Sequence, residues 1–151
     1  LLRELRKQGV TKPIVGETTL TSQKVIELAG DAATGAVAHV GLTVDAPIPA
    51  MLKFKAKFYQ ETKTISDHNG IKGYTGVYAL KAAIEKVGKL DKKAVAAALH
   101  GLSLKADKNP GVIMDVAFDD KGDIDRESFI VEVKDGKQVV KEVLPALGAK
   151  K

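Results

Sequence analysis

Pro13-Ile14-Val15-Gly16-Glu17-Thr18-Thr19-Leu20-Thr21-Ser22 is the stretch on which the reading of this chain turns. Ile14 and Val15 are a β-branched pair, opened by Pro13 and closed by Gly16, and they predict a short buried strand. Thr21 or Ser22 is placed to cap a helix over Gln23-Lys24-Val25-Ile26-Glu27-Leu28-Ala29, which Gly30 stops. Glu17, Thr18 and Thr19 fall between, at the carboxyl end of a strand facing a helix N-terminus. Open α/β sheets collect ligands at such junctions. The same residues also make a capped loop that binds nothing, and the segment alone leaves both readings open.

Upstream, residues 1–8 are amphipathic. Leu1, Leu2 and Leu5 lie on one side, Arg3, Arg6 and Lys7 on the other, and Gly9 supplies a stop. Downstream, residues 30–35 form a turn, and residues 36–44 lean to β without strict alternation, the pattern of a strand covered on both faces. Pro47 and Pro49 open the next helix, with Met51, Phe54, Phe58 and Leu52 as its apolar stripe. Residues 64–70 read as a polar segment. They lead into a helix from Ile71 to Val87 whose expected buried face is Tyr74, Val77, Tyr78, Ala82, Ile84 and Val87. Asp91 caps a shorter helix ending at His100-Gly101. The tail reads as an antiparallel meander over residues 112–118, 128–133 and 138–140, and Asp135-Gly136 marks a two-residue hairpin.

The whole chain narrows the function classes. Its 151 residues are one domain's worth, long enough to bury a core. Aromatics make up 5% with no Trp, so that core is Val, Ile, Leu and Ala. Mean hydropathy is -0.06, and the longest apolar run, residues 78–84, carries Lys81 and is too short to span a membrane. A net charge of +5 invites nucleic acid, but 24 basic residues are scattered among 19 acidic ones and no run mixes Arg with aromatics. A solvated basic surface with no nucleic-acid partner is the expectation. No cysteine is present, which removes disulfides, thiolate nucleophiles and Cys-based metal sites. The chain opens without Met on helix-forming residues, as a fragment or processed chain would.

Catalytic motifs fail one by one. No Gly-x-Ser-x-Gly elbow carries a serine nucleophile. His39, His68 and His100 lack i,i+3 or i,i+4 spacing, so no metal is expected. The acidic run Asp119-Asp120-Lys121-Gly122-Asp123 misses the calcium-loop spacing and reads as a bulged hairpin turn. Gly70, Gly73 and Gly76 recur every third residue, which suits close packing on a helix better than a phosphate cradle. What remains is a binding surface: Glu17/Thr18/Thr19, His39 and His68/Asn69 each fall where a strand or loop leads into a helix. Along one rim they would hold a small zwitterion or carboxylate by hydrogen bonds.

The order of segments carries a resemblance. Residues 13–16, 20–22 and Leu28-Ala29-Gly30-Asp31-Ala32-Ala33-Thr34-Gly35 lead it. Gly73-Tyr74-Thr75-Gly76-Val77-Tyr78-Ala79-Leu80, Leu99-His100-Gly101-Leu102, Phe118-Asp119-Asp120-Lys121-Gly122-Asp123 and Val131-Glu132-Val133-Lys134-Asp135-Gly136 continue it. Together these resemble the second, C-terminal lobe of type I periplasmic solute-binding proteins, in the branched-chain amino-acid group that serves ABC importers. The resemblance implies a flavodoxin-like three-layer α/β lobe with a parallel sheet core, followed by the antiparallel meander, as a single domain over residues 1–151. The first lobe and the opening strands would be absent.

The resemblance also implies a cleft that closes on a solute, no catalysis and no cofactor, an ABC permease as partner, and a place in the periplasm or on an extracytoplasmic surface. The family's acidic ligand-facing residue falls on Thr18, with Glu17 one place earlier, and its aromatic contact falls on Asn69 beside His68. His39 matches a cleft-facing strand end. These replacements imply a more polar pocket for an amino acid or a neutral or anionic solute such as an aromatic or keto acid. The missing lobe would come from another chain or a dimer partner. Two alternatives stand beside this: a ligand-sensing domain of a receptor or regulator, and a flavodoxin-like enzyme using Glu17 and His68 as acid and base.

Overall fold

A computed structural model describes residues 1–147. No helix among them is long and apolar enough to cross a membrane. They form two compact units: residues 1–46 with 127–144, and residues 47–126 with the chain from Pro145. The chain therefore passes from one unit to the other after residues 46, 126 and 144.

The first unit is α/β. Helix α1 (Leu2–Lys7) precedes β1 (Val15–Glu17), a 3₁₀ turn (Thr18–Thr21), α2 (Gln23–Ala29), a second 3₁₀ turn (Gly30–Ala33) and β2 (Val37–Val40). Ser22 is the cap of α2, its hydroxyl accepting from Val25 N at 3.4 Å. β1 and β2 run parallel, pairing Val15 with Val37, Gly16 with Ala38 and Glu17 with His39. Gly16 allows a close approach here: an added Cβ would lie 2.7 Å from Leu20 Cδ2, so the Leu20 side chain would have to shift. Two long strands from the tail, β6 (Ser128–Lys134) and β7 (Lys137–Leu144), complete the sheet in the order β1-β2-β6-β7. β6 is antiparallel to β2, and β7 is antiparallel to β6.

Among the described residues, parallel pairing is thus confined to β1 and β2. Asp135 and Gly136 both take positive φ, 51° and 71°, as a tight hairpin turn demands. β6 alternates cleanly, burying Phe129, Val131 and Val133. Leu2, Ile26, Ala33, Ala36 and Val133 form one core cluster, which ties both helices to the sheet. The strand expected over residues 36–44 stops at Val40, because Gly41 ends the ladder and Thr43 is drawn into a turn.

The second unit holds α3 (Pro49–Thr62), α4 (His68–Val87), α5 (Lys92–Leu99) and three short strands. β3 (Ser103–Leu104), β4 (Val116–Phe118) and β5 (Ile124–Asp125) make a separate antiparallel sheet. The expected meander is therefore divided between two sheets. Leu104 supplies β4 with a local partner, and the chain leaves the unit after residue 126 before β6 begins. The acidic turn behaves as read: Asp119 Oδ1 accepts from Lys121 N and Asp123 N at 2.9 and 2.8 Å, with Gly122 at φ 88°.

Three readings of these helices need correction. α4 begins at His68, not Ile71, because Asp67 caps it. Its buried residues are Ile71, Ala79 and Ala83, while Val77 is 66% exposed and Leu52 of α3 is 55% exposed. The face that packs is chosen by the cluster of Ala79, Leu102, Leu104, Val112 and Val116, partners a helical periodicity does not contain. The glycine row packs only at Gly70, where an added Cβ would meet Ser66. Gly73 and Gly76 have nothing within 4 Å among the described residues.

Candidate functional site

The strand-to-helix junction of the first unit is held from a distance. Glu17 caps the 3₁₀ turn, its Oε1 accepting from Thr19 N at 3.2 Å. At the far end of that turn Thr21 is fully buried, and a polar group in that position needs partners. Gln138 on β7 supplies them, donating from Nε2 to Thr21 O and Thr21 Oγ1 at 2.9 Å each. Gln138 Oε1 in turn accepts from the Thr43 hydroxyl at 2.6 Å, and Thr43 is also buried. The turn that carries Thr18 and Thr19 is thereby fixed at both ends.

Glu17 and His39 are register partners at the carboxyl ends of β1 and β2, so their side chains leave the same face of the sheet. Both are exposed, as is Thr19, and Thr18 is half-buried. His39 Nε2 lies 2.9 Å from Ser128 Oγ, which orients the imidazole. The backbone register thus sets Glu17 and His39 opposite each other at the strand end where the Thr18–Thr21 turn begins. Ser128 and Gln138 were missed, since neither has a local signature and they act across 89 and 117 residues.

His68 and Asn69 belong to the second unit. They occupy the first turn of α4, and Asp67 already satisfies that helix terminus. Its Oδ1 accepts from Asn69 N at 2.9 Å and Gly70 N at 3.1 Å, while Oδ2 accepts from the Asn69 amide at 3.2 Å. Partial burial works against ionisation of Asp67, but the hydrogen bonds from Gly70 and Asn69, with the His68 charge, outweigh it and hold the carboxyl below its ordinary pKa. His100 stays at its helix end, its Nδ1 2.8 Å from Asp120 O. No group of three metal-ligating side chains gathers among the described residues.

A family profile described as periplasmic binding protein matches residues 1–138. No curated protein matches. Among solved structures, the chain superposes on a leucine-binding protein from Thermotoga maritima with a TM-score of 0.81 and 21% identity, covering 95% of this chain and 40% of that one. An ABC-transporter solute-binding protein from Rhodopseudomonas palustris BisB5, in complex with 3,4-dihydroxybenzoic acid, gives 0.76 and 22%, covering 96% and 41%. Another from R. palustris, in complex with benzoate, gives 0.79 and 21%, covering 97% and 40%. At these identities the superpositions speak to the fold. The chain spans about two fifths of the length of each.

Proposed function

The chain belongs to the periplasmic binding protein family, and from that premise we propose that it supplies part of a solute-capture clamp for an ABC importer, acting outside the cytoplasm on an amino acid or a small aromatic or keto carboxylate. One observation carries the proposal: Glu17 and His39 stand side by side at the carboxyl ends of paired parallel strands, next to the anchored Thr18–Thr21 turn. That constellation suits a small polar solute. The Thr18 and Thr19 hydroxyls and the His39 imidazole donate to a carboxylate, and Glu17 accepts from an ammonium or hydroxyl group. An ABC permease is the partner that would take up the solute, and the rest of the clamp would come from another chain or a dimer partner.

The architecture argues for binding without turnover. Glu17 already spends one oxygen on the backbone of its own turn, so it serves as a fixed acceptor more readily than as a mobile base. The test is a thermal-shift screen against amino acids, benzoates and keto acids. A solute held at a hundred times its dissociation constant adds about 2.7 kcal/mol of stability. His39→Ala and Thr18→Ala should remove the shift while leaving the unliganded melting temperature within a few degrees. A shift that survives both substitutions removes this strand end from the site.

A further inference from the structure

Gln138 does more than anchor the Thr18–Thr21 turn, because its other bond leads toward the end of the first unit. The Thr21 carbonyl can only accept, so the carboxamide must turn Nε2 toward Thr21 and Oε1 toward Thr43. Thr43 has one hydroxyl proton, and it goes to Gln138 at 2.6 Å. The Thr43 oxygen is then left as an acceptor, and Asp45 N–H donates to it at 3.2 Å. Ala46 N–H donates to Thr43 O at 3.2 Å and closes the turn. The chain leaves the first unit directly after Ala46. One side chain therefore joins the turn beside the candidate site to the last residues before the first crossover, and every donor along that line has a fixed direction.

We infer that Gln138 is a positioning residue that makes the Thr18–Thr21 turn and the crossover segment, residues 43–46, shift as one. Burial gives the bridge its grip. Thr21 and Ala46 are fully buried, and Leu42, Thr43 and Val44 nearly so. Neither threonine hydroxyl can exchange Gln138 for bulk water without opening the fold. A movement of the turn pulls on Thr43 through the amide, and Thr43 holds Asp45 and Ala46. The coupling runs equally in the other direction, since it is one free energy shared by two places. It is a property of the chain without solute. Its consequence for a solute, that occupancy of the turn is felt at residues 43–46, rests on the reading above, whereas the coupling itself does not.

Amide exchange on the unliganded chain tests it, each rate read as a ratio to that of the Val37 amide. Val37 N donates to Ile14 O at the opposite end of the β1–β2 pair, so the ratio removes any general loss of stability. Thr43→Val keeps the side chain's shape and removes its hydroxyl. Exchange at Ser22, whose N–H donates to Thr19 O, should then quicken by about threefold or more. Thr21→Val should do the same at Ala46. In a Gln138→Met background, which keeps the side chain's length without its amide, neither substitution should move the remote amide further. Circular dichroism checks that each variant is folded, and where Gln138→Met is not, the two threonine variants decide alone. A Thr43→Val effect confined to residues 43–46 overturns the inference. So do remote effects that persist with Gln138→Met, because the sheet would then be carrying them.

Discussion

Two polar junctions in this molecule lead into helices, and they are held in opposite ways. At the junction after Val15, the turn is fixed by Gln138, which reaches Thr21 across 117 residues and Thr43 across 95. At the junction before α4, every bond is local: Asp67 binds Asn69 and Gly70, two and three residues away. The local device consumes its own polar groups, and little of Asn69 or Asp67 is left to offer a ligand. The remote device holds the turn through buried groups and leaves His39 and the threonine hydroxyls at the surface. Tethering from afar leaves a loop's own polar groups exposed, whereas capping from within commits them to structure.

Breaking the remote tether should cost most. Gln138→Ala takes the amide donor from the buried Thr21 hydroxyl and carbonyl and the acceptor from the Thr43 hydroxyl, whose oxygen keeps only Asp45 N, for a loss of about 2–4 kcal/mol in urea unfolding. Amide exchange over residues 18–22 should quicken with it. A loss below that range would mean water replaces Gln138 and the two junctions are less different than drawn. Asp67→Ala should cost about 1 kcal/mol, the ordinary value of an N-cap, and its exchange effects should stay within the first turn of α4.

Acid sharpens the contrast further. Because the folded-state pKa of Asp67 is depressed, its contribution is fully present above the unfolded carboxylate value of about 3.9 and is lost as pH falls through the folded value. The stability gap between the parent chain and Asp67→Asn should therefore narrow as pH falls below that value. The gap for Gln138→Ala, which involves no titrating group, should not follow it. Parallel pH profiles for the two variants would collapse the distinction.

Much of the fold was legible because its signals are local. Ser22 and Asp91 cap where their sequences place them, and the latter's carboxylate accepts from Lys93 N and Ala94 N at 3.1 Å. Asp135-Gly136 turns the hairpin. The pairing of Glu17 with His39 was legible only as a shared rim, since 22 residues separate them and register belongs to the sheet. Of the face expected on α4, Tyr78 and Ala82 do pack against the core cluster, but small residues take the fully buried positions. Ala79 and Ala83 face the core, while Val77, more apolar by side chain, faces out.

By itself the sequence determined where most helices start and stop, the start of α4 excepted, where the tight turns fall, and that the chain is α/β. Those properties are set by φ/ψ preferences and by hydrogen bonds spanning a few residues, so neighbouring residues suffice to specify them. Only the tertiary structure decided which strands share a sheet, which stripe of α4 is covered, and that Gln138 and Ser128 serve the strand end near Glu17. Each of those outcomes depends on partners dozens of residues away, whose position is a property of the packed chain and of no segment within it.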